Sequence, residues 1–238
     1  MSWVAHDVEP YVIVRHLGGR VSFLAVLIGS WSPDLVTKWM VYGVTTGISY
    51  HTDDPFEFHR GWPGVGPLHS PVFGIAMAIA VLLIFRSHPW AWGLLIGQWA
   101  HAFSDTMDSN GVMLLFPFTE TRTSVDAWTY AAEHGRTLDT AAYFSSPGLL
   151  WDCFWVGMTL VRWRVLSAAY FRDTVLPADP VWGWTGRYLP PQALLVLYRA
   201  AFFYGTGRLV AWVLWAHVLN SYEFDFTWGG PGWVKDLE

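Results

Sequence analysis

One cysteine, Cys153, stands in the whole chain, which excludes a disulfide framework and any cysteine-rich metal knuckle. Charge is scarce as well: 14% of residues are Asp, Glu, Lys or Arg, against about 25% in soluble domains. The net charge of -5 and the lack of any Lys/Arg run exclude an electrostatic footprint for nucleic acid. The first residues, Met1-Ser-Trp-Val-Ala-His-Asp7, are neither basic nor followed by a clean apolar core, so no cleavable signal peptide is expected. No internal repeat or low-complexity segment is visible. What the chain has instead is apolar and aromatic: 53% hydrophobic, 18% aromatic, 17 Trp, and a mean hydropathy of +0.29 over 238 residues. Amphipathic Trp rings gather where hydrocarbon meets water. The expectation is one integral membrane domain, 1–238, all-α, a polytopic bundle of four to five transmembrane helices embedded in the lipid bilayer.

The spans follow from apolar length, since about 20 residues cross the hydrocarbon core as a helix. Residues 68–86, 90–107, 148–164 and 192–219 are predicted to cross, with 11–31 as a fifth candidate despite Arg15, His16 and Arg20. Segment 34–50 reads as an interfacial or re-entrant helix, Val125 to His134 as an amphipathic helix, 177–191 as a loop, and 221–238 as a tail. Arg86, Arg162, Arg164 and Arg172 fall on one side if the spans cross, and the positive-inside rule makes that side cytoplasmic. His69, His101 and Asp105 then share the opposite, periplasmic face of a bacterial inner membrane. Asp34 joins them if 11–31 enters from its arginines.

The segment His101-Ala-Phe-Ser-Asp105 is the most telling. Residues four apart on a helix share a face at roughly 5–6 Å between Cβ atoms. An ionisable pair at the end of an apolar span is costly unless compensated, and a divalent cation held by imidazole and carboxylate is one compensation. A neutral His bonded to its own helix neighbour is the plainer alternative. Asp34, His59, His69, His101 and Asp105 together offer three imidazoles and two carboxylates, enough for one complete metal site or two sparse ones, with zinc the foremost candidate. Arg60 lies among them and is a candidate clamp for a phosphate oxygen. Each also has a structural alternative: a snorkelling Arg60, a helix-capping Asp34 or His69, a solvated His59. His16 is left out, because a straight helix to Asp34 would separate the two by about 27 Å.

Three segments, in order, carry a likeness. They are Gly29-Ser-Trp-Ser-Pro33-Asp34; His59-Arg60-Gly61 with His69-Ser70; and His101-x-x-x-Asp105 leading through Gly111-Val to Pro117-Phe118. The chain over about 15–120 resembles the LexA-binding, inner-membrane-associated hydrolase family, also described as membrane-bound metal-dependent hydrolases. That family's pattern has a His before the first helix, then Pro-Asp-x-Asp, His-Arg-Gly-x-Thr-His-Ser and His-x-x-x-Asp-x-x-Thr-Pro-x-Gly-Val. The resemblance implies a phosphoester-type hydrolase core with 148–238 as additional helices and tail. The chain departs from the pattern at Val36, where the second acid is lost, and at Leu68, where Thr is usual. The insertion 62–68 separates the two histidines, and Asp108-Ser109 replaces Thr-Pro. Such departures leave open a member whose catalysis is impaired or lost.

A non-enzymatic alternative rests on the other half. His217, alone in the Trp-rich run Leu209–Leu219, has the setting of a ligand to chlorophyll magnesium or haem iron, though an interfacial His is the plainer reading. In that alternative the chain is an accessory subunit of a photosynthetic or respiratory membrane assembly, bound through residues 148–238. Arg199 and Arg208, nine residues apart, lie on opposite faces of one helix, which predicts that at least one leaves the bundle for a partner chain or a lipid headgroup.

Overall fold

The computed structural model describes residues 4–41, 55–130 and 136–226. Residues 42–50 of the expected re-entrant segment, His51 with Asp53 and Asp54, His134, and the Trp228–Trp233 tail lie outside them. The described chain is helical, with two isolated β-bridges, Asp108 to Trp128 and Val112 to Thr123, the only pairings between extended segments among the described residues. In order the helices are α1 (Ala5–Leu17), α2 (Phe23–Val41), α3 (Pro55–Arg60), α4 (Pro71–Phe85), α5 (His88–Asp105), α6 (Arg136–Phe144) and α7 (Pro147–Val161). Three short segments follow, α8 (Ala168–Tyr170), α9 (Leu176–Ala178) and α10 (Pro180–Thr185), before the long α11 (Pro191–Val213). A wider helical turn, Leu214–Leu219, continues α11.

The all-α expectation holds, and helices occupy the apolar runs at 68–86, 90–107, 148–164 and 192–219. Three of the four, with 15, 18 and 15 residues, fall short of the expected length, and the fourth has 23. The most apolar, α4, has 15 residues, about 22 Å of helix against a hydrocarbon core of about 30 Å. α5 carries Gln98, His101 and Asp105, and α11 carries two arginines. No described helix is long and apolar enough to cross a membrane.

Three local expectations fail for identifiable reasons. The stretch 11–31 is two helices and not one span. Gly18 at φ +60° ends α1, its N–H returning to Val14 O, a left-handed stop that glycine adopts without Cβ strain. A tight turn over Gly18–Arg20 then reverses the chain into α2. This reversal carries the N-terminal end of α1 back toward Asp34. Second, 125–130 is not helical: Val125 N and Ala127 N bond to Thr106 O and Met107 O, closing a loop over the end of α5, and helix resumes at Arg136. Third, 177–191 holds α10, started by Asp179, whose carboxylate accepts from Val181 N.

α2 and α5 form the closest pair. Glycine makes that approach possible, because a Cβ at Gly97 would lie 2.1 Å from Val26 O and one at Gly29 would lie 2.4 Å from Leu94 O. Aromatic packing holds α1, α2 and α11 together: Tyr11 sits against Phe23, Tyr198 and Phe202, and its hydroxyl donates to Tyr198 O. Asp152 of α7 accepts from Val4 N and Ala5 N at 3.1 and 2.8 Å, satisfying amide groups at the start of α1 that a helix leaves without intrahelical partners.

Both α11 arginines find partners within the chain, so the inference that one must leave the bundle does not hold. Arg199 Nε donates to Leu166 O at 2.7 Å, and Arg208 pairs with Asp7 of α1. Opposite faces of α11 serve two different neighbours: the 163–166 turn on one side and α1 on the other.

The seam between α2 and α5 generates a prediction. Gly97→Ala should lower unfolding stability by about 1–3 kcal/mol, since the new methyl meets backbone that cannot yield. Gly157→Ala, in open space on α7, should be neutral or stabilising by up to about 1 kcal/mol. Chemical denaturation of both variants in detergent checks the pair.

Candidate metal centre

The side chains of the centre arrive from three helices and one turn. Asp34 comes from the interior of α2, just after Pro33, and so is not a helix cap. His59 and Arg60 end α3. His69 closes a short turn before α4, whose preceding cap position belongs to Ser70. His101 and Asp105 occupy the last turn of α5. Asp34, His69, His101 and Asp105 each offer a ligand atom within 4.8 Å of the others, and all four are buried.

The arrangement has a direction. The Nε2 atoms of His59, His69 and His101 lie 3.6, 3.7 and 3.9 Å from Asp34 Oδ1. Asp105 Oδ2 lies 2.9 Å from His101 Nε2 and 3.8 Å from His69 Nε2. His101 Nδ1 is 2.7 Å from Ser30 O. A carbonyl only accepts, so Nδ1 carries a proton and Nε2 is the nitrogen turned toward the carboxylates. A metal-binding histidine needs this orientation, fixed by the hydrogen bond of its other nitrogen. Neither ring nitrogen of His69 has a hydrogen bond among the described residues. Buried polar atoms are rarely left so, and a cation between the imidazoles and carboxylates would take up Nε2, the nitrogen that faces Asp34 and Asp105. The donor set therefore fits a divalent metal. Zinc suits it, at about 2.0–2.2 Å from nitrogen and oxygen ligands, after contraction of the present spacings.

The 62–68 insertion leaves this geometry intact. It folds back onto α3, with Val65 N bonded to Phe58 O and Gly66 N to Gly61 O, and the His59 and His69 ring centres stay 4.9 Å apart. Gln98, one turn before His101, donates to Leu68 O and Ser70 O and fixes the backbone on both sides of His69. Leu68 thus contributes its carbonyl, and the residue type there matters little to this contact. The Val36 side chain lies outside the described residues.

Arg60 is neither exposed nor snorkelling; it is fully buried. Its Nη2 lies 2.7 Å from Asp105 Oδ2 and 3.4 Å from Asp108 Oδ2, and Nη1 donates to Gly111 O at 3.1 Å. Asp108, where the family pattern has Thr, accepts from Asn110 N and Gly111 N as well.

The sequence reading missed His6 and Glu9. The His6 ring stacks on His101 with centres 4.0 Å apart, and its Nε2 is 3.6 Å from Asp105 Oδ1. Glu9 Oε2 lies 3.7 Å from His6 Nδ1, and Glu9 Oε1 accepts from Ser104 Oγ. The signal was available: His6 and Glu9 are spaced i, i+3, on one face of a helix, and the family pattern has a His before its first helix. His16, left out above, is indeed remote and bonds to Arg162. Tyr130, also missed, bonds His59 Nδ1 through its hydroxyl.

His217 stands apart from the centre. Its Nδ1 meets Tyr222 O at 2.7 Å, its Nε2 meets Phe144 O at 3.1 Å, and its ring stacks on Phe224. Each nitrogen sits against a carbonyl oxygen of the chain, so neither is turned outward toward a pigment or haem.

Burial pushes the His59 imidazole down to about 4, the nearby Arg60 guanidinium acting in the same direction against the pull of Asp34. The His69 imidazole is held well below its ordinary value by burial and then by Arg60. Both rings are therefore neutral at pH 7, ready as ligands.

Fold and site together define a helical protein built around a buried imidazole–carboxylate centre able to hold a metal ion. Residues 8–172 match the model of the YdjM inner membrane protein family, and the chain belongs to that family. Neither a curated protein nor a solved structure matches the chain.

Two predictions follow from the electrostatics. His59 is neutral when folded and has an ordinary value of 6.5 when unfolded, so its contribution is complete above pH 6.5 and is lost as pH falls toward 4. Metal-free protein should lose about 2 kcal/mol by pH 5 from His59 alone, read as a falling unfolding midpoint. Arg60→Met removes the cation beside Asp105 and Asp108 and should destabilise metal-free protein by about 3–5 kcal/mol. Added zinc should recover part of that loss, measurable by thermal shift.

Proposed function

We infer that this YdjM-family chain is a membrane-embedded, metal-dependent hydrolase acting on phosphoesters. The observation that supports the reading most is the set Asp34, His69, His101 and Asp105 within 4.8 Å, with a His101 proton placed on Nδ1 by Ser30 O. Hard oxygen substrates such as phosphate esters suit a mixed carboxylate–imidazole centre.

When bound, a divalent cation supplies Lewis acidity and a nucleophilic water near neutral pH. The chain's own residues do the positioning. Asp34 and Asp105 provide carboxylate oxygens, and His69 and His101 provide imidazole nitrogens. His59, held by Tyr130, extends the donor set toward Asp34. Arg60, with its Nη donors engaged by Asp105, Asp108 and Gly111 O, acts here as a positioning residue that holds Asp105, in place of the oxyanion clamp expected from sequence.

The membrane placement rests on family and surface. Outward side chains of α4, α7 and α11 are large and apolar, among them Ile79, Leu83, Phe154, Leu160, Phe203 and Val210, all exposed. Large exposed apolar side chains in this number call for a nonaqueous cover. Helices shorter than the hydrocarbon core are accommodated by local thinning and by interfacial Trp and Arg anchors. The positive-inside rule then puts Arg162 and Arg164 in the cytoplasm and the metal centre toward the periplasm.

Purified protein supplied with zinc or manganese should retain about one equivalent or more of metal and cleave a chromogenic phosphodiester or phosphomonoester. Asp34→Ala and His101→Ala should each weaken metal retention by about 10-fold or more and abolish turnover. A wild-type protein that retains metal yet cleaves no phosphoester would overturn the hydrolase reading and leave a metal-binding protein. One that retains none would remove the centre itself.

A further inference from the structure

At the far end of α1 from His6, ten residues or about 15 Å along the helix, the side chains change character. Arg15 and His16 of α1 meet Val161, Arg162, Trp163 and Arg164 at the end of α7 around an open cavity of about 470 Å³. No carboxylate pairs with Arg15, Arg162 or Arg164 among the described residues. Arg162 Nη1 donates to His16 Nε2 at 2.7 Å, and Arg15 lies against the Tyr170 side chain, 5.5 Å from its ring centre.

Arginines at helix C-termini complement the helix dipole wherever they point, so their presence alone means little. Their convergence and fixation carry the argument. His16 Nδ1 donates to Val12 O at 2.8 Å, which leaves Nε2 as the acceptor that orients Arg162. The turn carrying Arg164 is anchored at the two residues that follow it. Val165 is fully buried and its carbonyl accepts from Tyr198 Oη at 2.9 Å, while Leu166 O accepts from Arg199 Nε. Tyr170, beside Arg15, is tied to Val14 O at 3.0 Å. Arg162 and Arg15 are thus oriented by His16 and Tyr170, Arg164 follows on an anchored turn, and the three line one concavity with no carboxylate paired to them among the described residues. The arrangement suits the planar, bidentate recognition of phosphate oxygens. A volume of this order accommodates a phosphate with a glycerol-sized substituent, and the exposed Trp163 at the rim is a side chain typical of the lipid headgroup level.

The geometry points to a phosphate-binding site formed by Arg15, Arg162 and Arg164, distinct from the metal centre and filled by the phosphodiester headgroup of an anionic phospholipid or by free phosphate. Such a site anchors the cytoplasmic end of α1 and α7 against the membrane surface. It does not depend on the hydrolase reading.

The test uses the full-length protein in a nonionic detergent with a chelator present, so that phosphate cannot bind through a metal at the centre. Thermal stability is followed while phosphatidylglycerol, phosphatidylcholine or inorganic phosphate is added. Phosphatidylglycerol should raise the unfolding temperature in a saturable way and phosphatidylcholine should not. Arg15→Gln with Arg164→Gln, both at exposed positions, should raise the half-saturating concentration about tenfold or more, the loss expected from charge-assisted hydrogen bonds. Arg187→Gln, an exposed arginine elsewhere, should not change it. Arg164→Gln alone gives the same readout should the double variant fail to fold. Saturation by inorganic phosphate that competes with the lipid, and is lost in the same variant, assigns the site to free phosphate. Absence of saturable stabilisation by either ligand overturns the site, as does equal weakening by Arg187→Gln.

Discussion

The carboxylate of Asp105 is the point on which the interior turns. It is completely buried, with Arg60 Nη2 and His101 Nε2 on Oδ2 and His6 Nε2 facing Oδ1. An isolated buried carboxylate would cost many kcal/mol, so the surrounding groups are not optional. Arg60 brings the compensating charge, and in turn needs Asp108 and Gly111 O for its remaining donors. Asp108 closes the loop after α5 by accepting two backbone amides. Helix, loop and ion pair are therefore a connected unit, and disturbance of one member leaves another buried without its counterpart.

That unit requires helices to approach more closely than side chains ordinarily permit. The glycines of α2 and α5 remove the obstacle, and the same register that puts Gly29 against Leu94 O puts Ser30 O within reach of His101 Nδ1. Packing and ring orientation are thus set by one contact. α1 then divides its labour along its length. Its first turns face the centre with His6 and Glu9, its middle packs Tyr11 into the aromatic core, and its last turn carries Arg15 and His16 to the opposite surface. The helix thereby joins the buried imidazole–carboxylate centre at one end to an arginine cluster at the other.

Much of this was legible in the residues. Apolar runs over 68–86, 90–107, 148–164 and 192–219 marked helices because hydrophobic length survives any tertiary arrangement. The spacing of His101 and Asp105 placed them on one helix face, and their convergence with His69 followed from positions at the ends of those runs, whereas Asp34 was tied to them through a single span over 11–31 that is in fact two helices. Less visible were contacts whose meaning depends on a partner distant in sequence. Gln98 gains its role only when Leu68 O and Ser70 O arrive beside it. His6 belongs to the centre because Gly18 reverses the chain, a turn that looked like the interior of one span.

Arg199 and Arg208 show the same division from the other side. Periodicity put them on opposite faces of α11, and that is how they stand. Whether either had to leave the chain was a question of what lay across from each face, and Leu166 O and Asp7 supply the answer. Composition and periodicity by themselves determined that this chain is helical, apolar on its surface and equipped with imidazoles and carboxylates near one set of helix ends. Only the tertiary structure decided which of those groups share a centre, which nitrogen of His101 faces the carboxylates, and that Arg60 is bound inward to Asp105. The reason is range: helical pattern is set within a few turns, whereas the pairing of buried charges is fixed by neighbours that the fold brings from as many as 200 residues away.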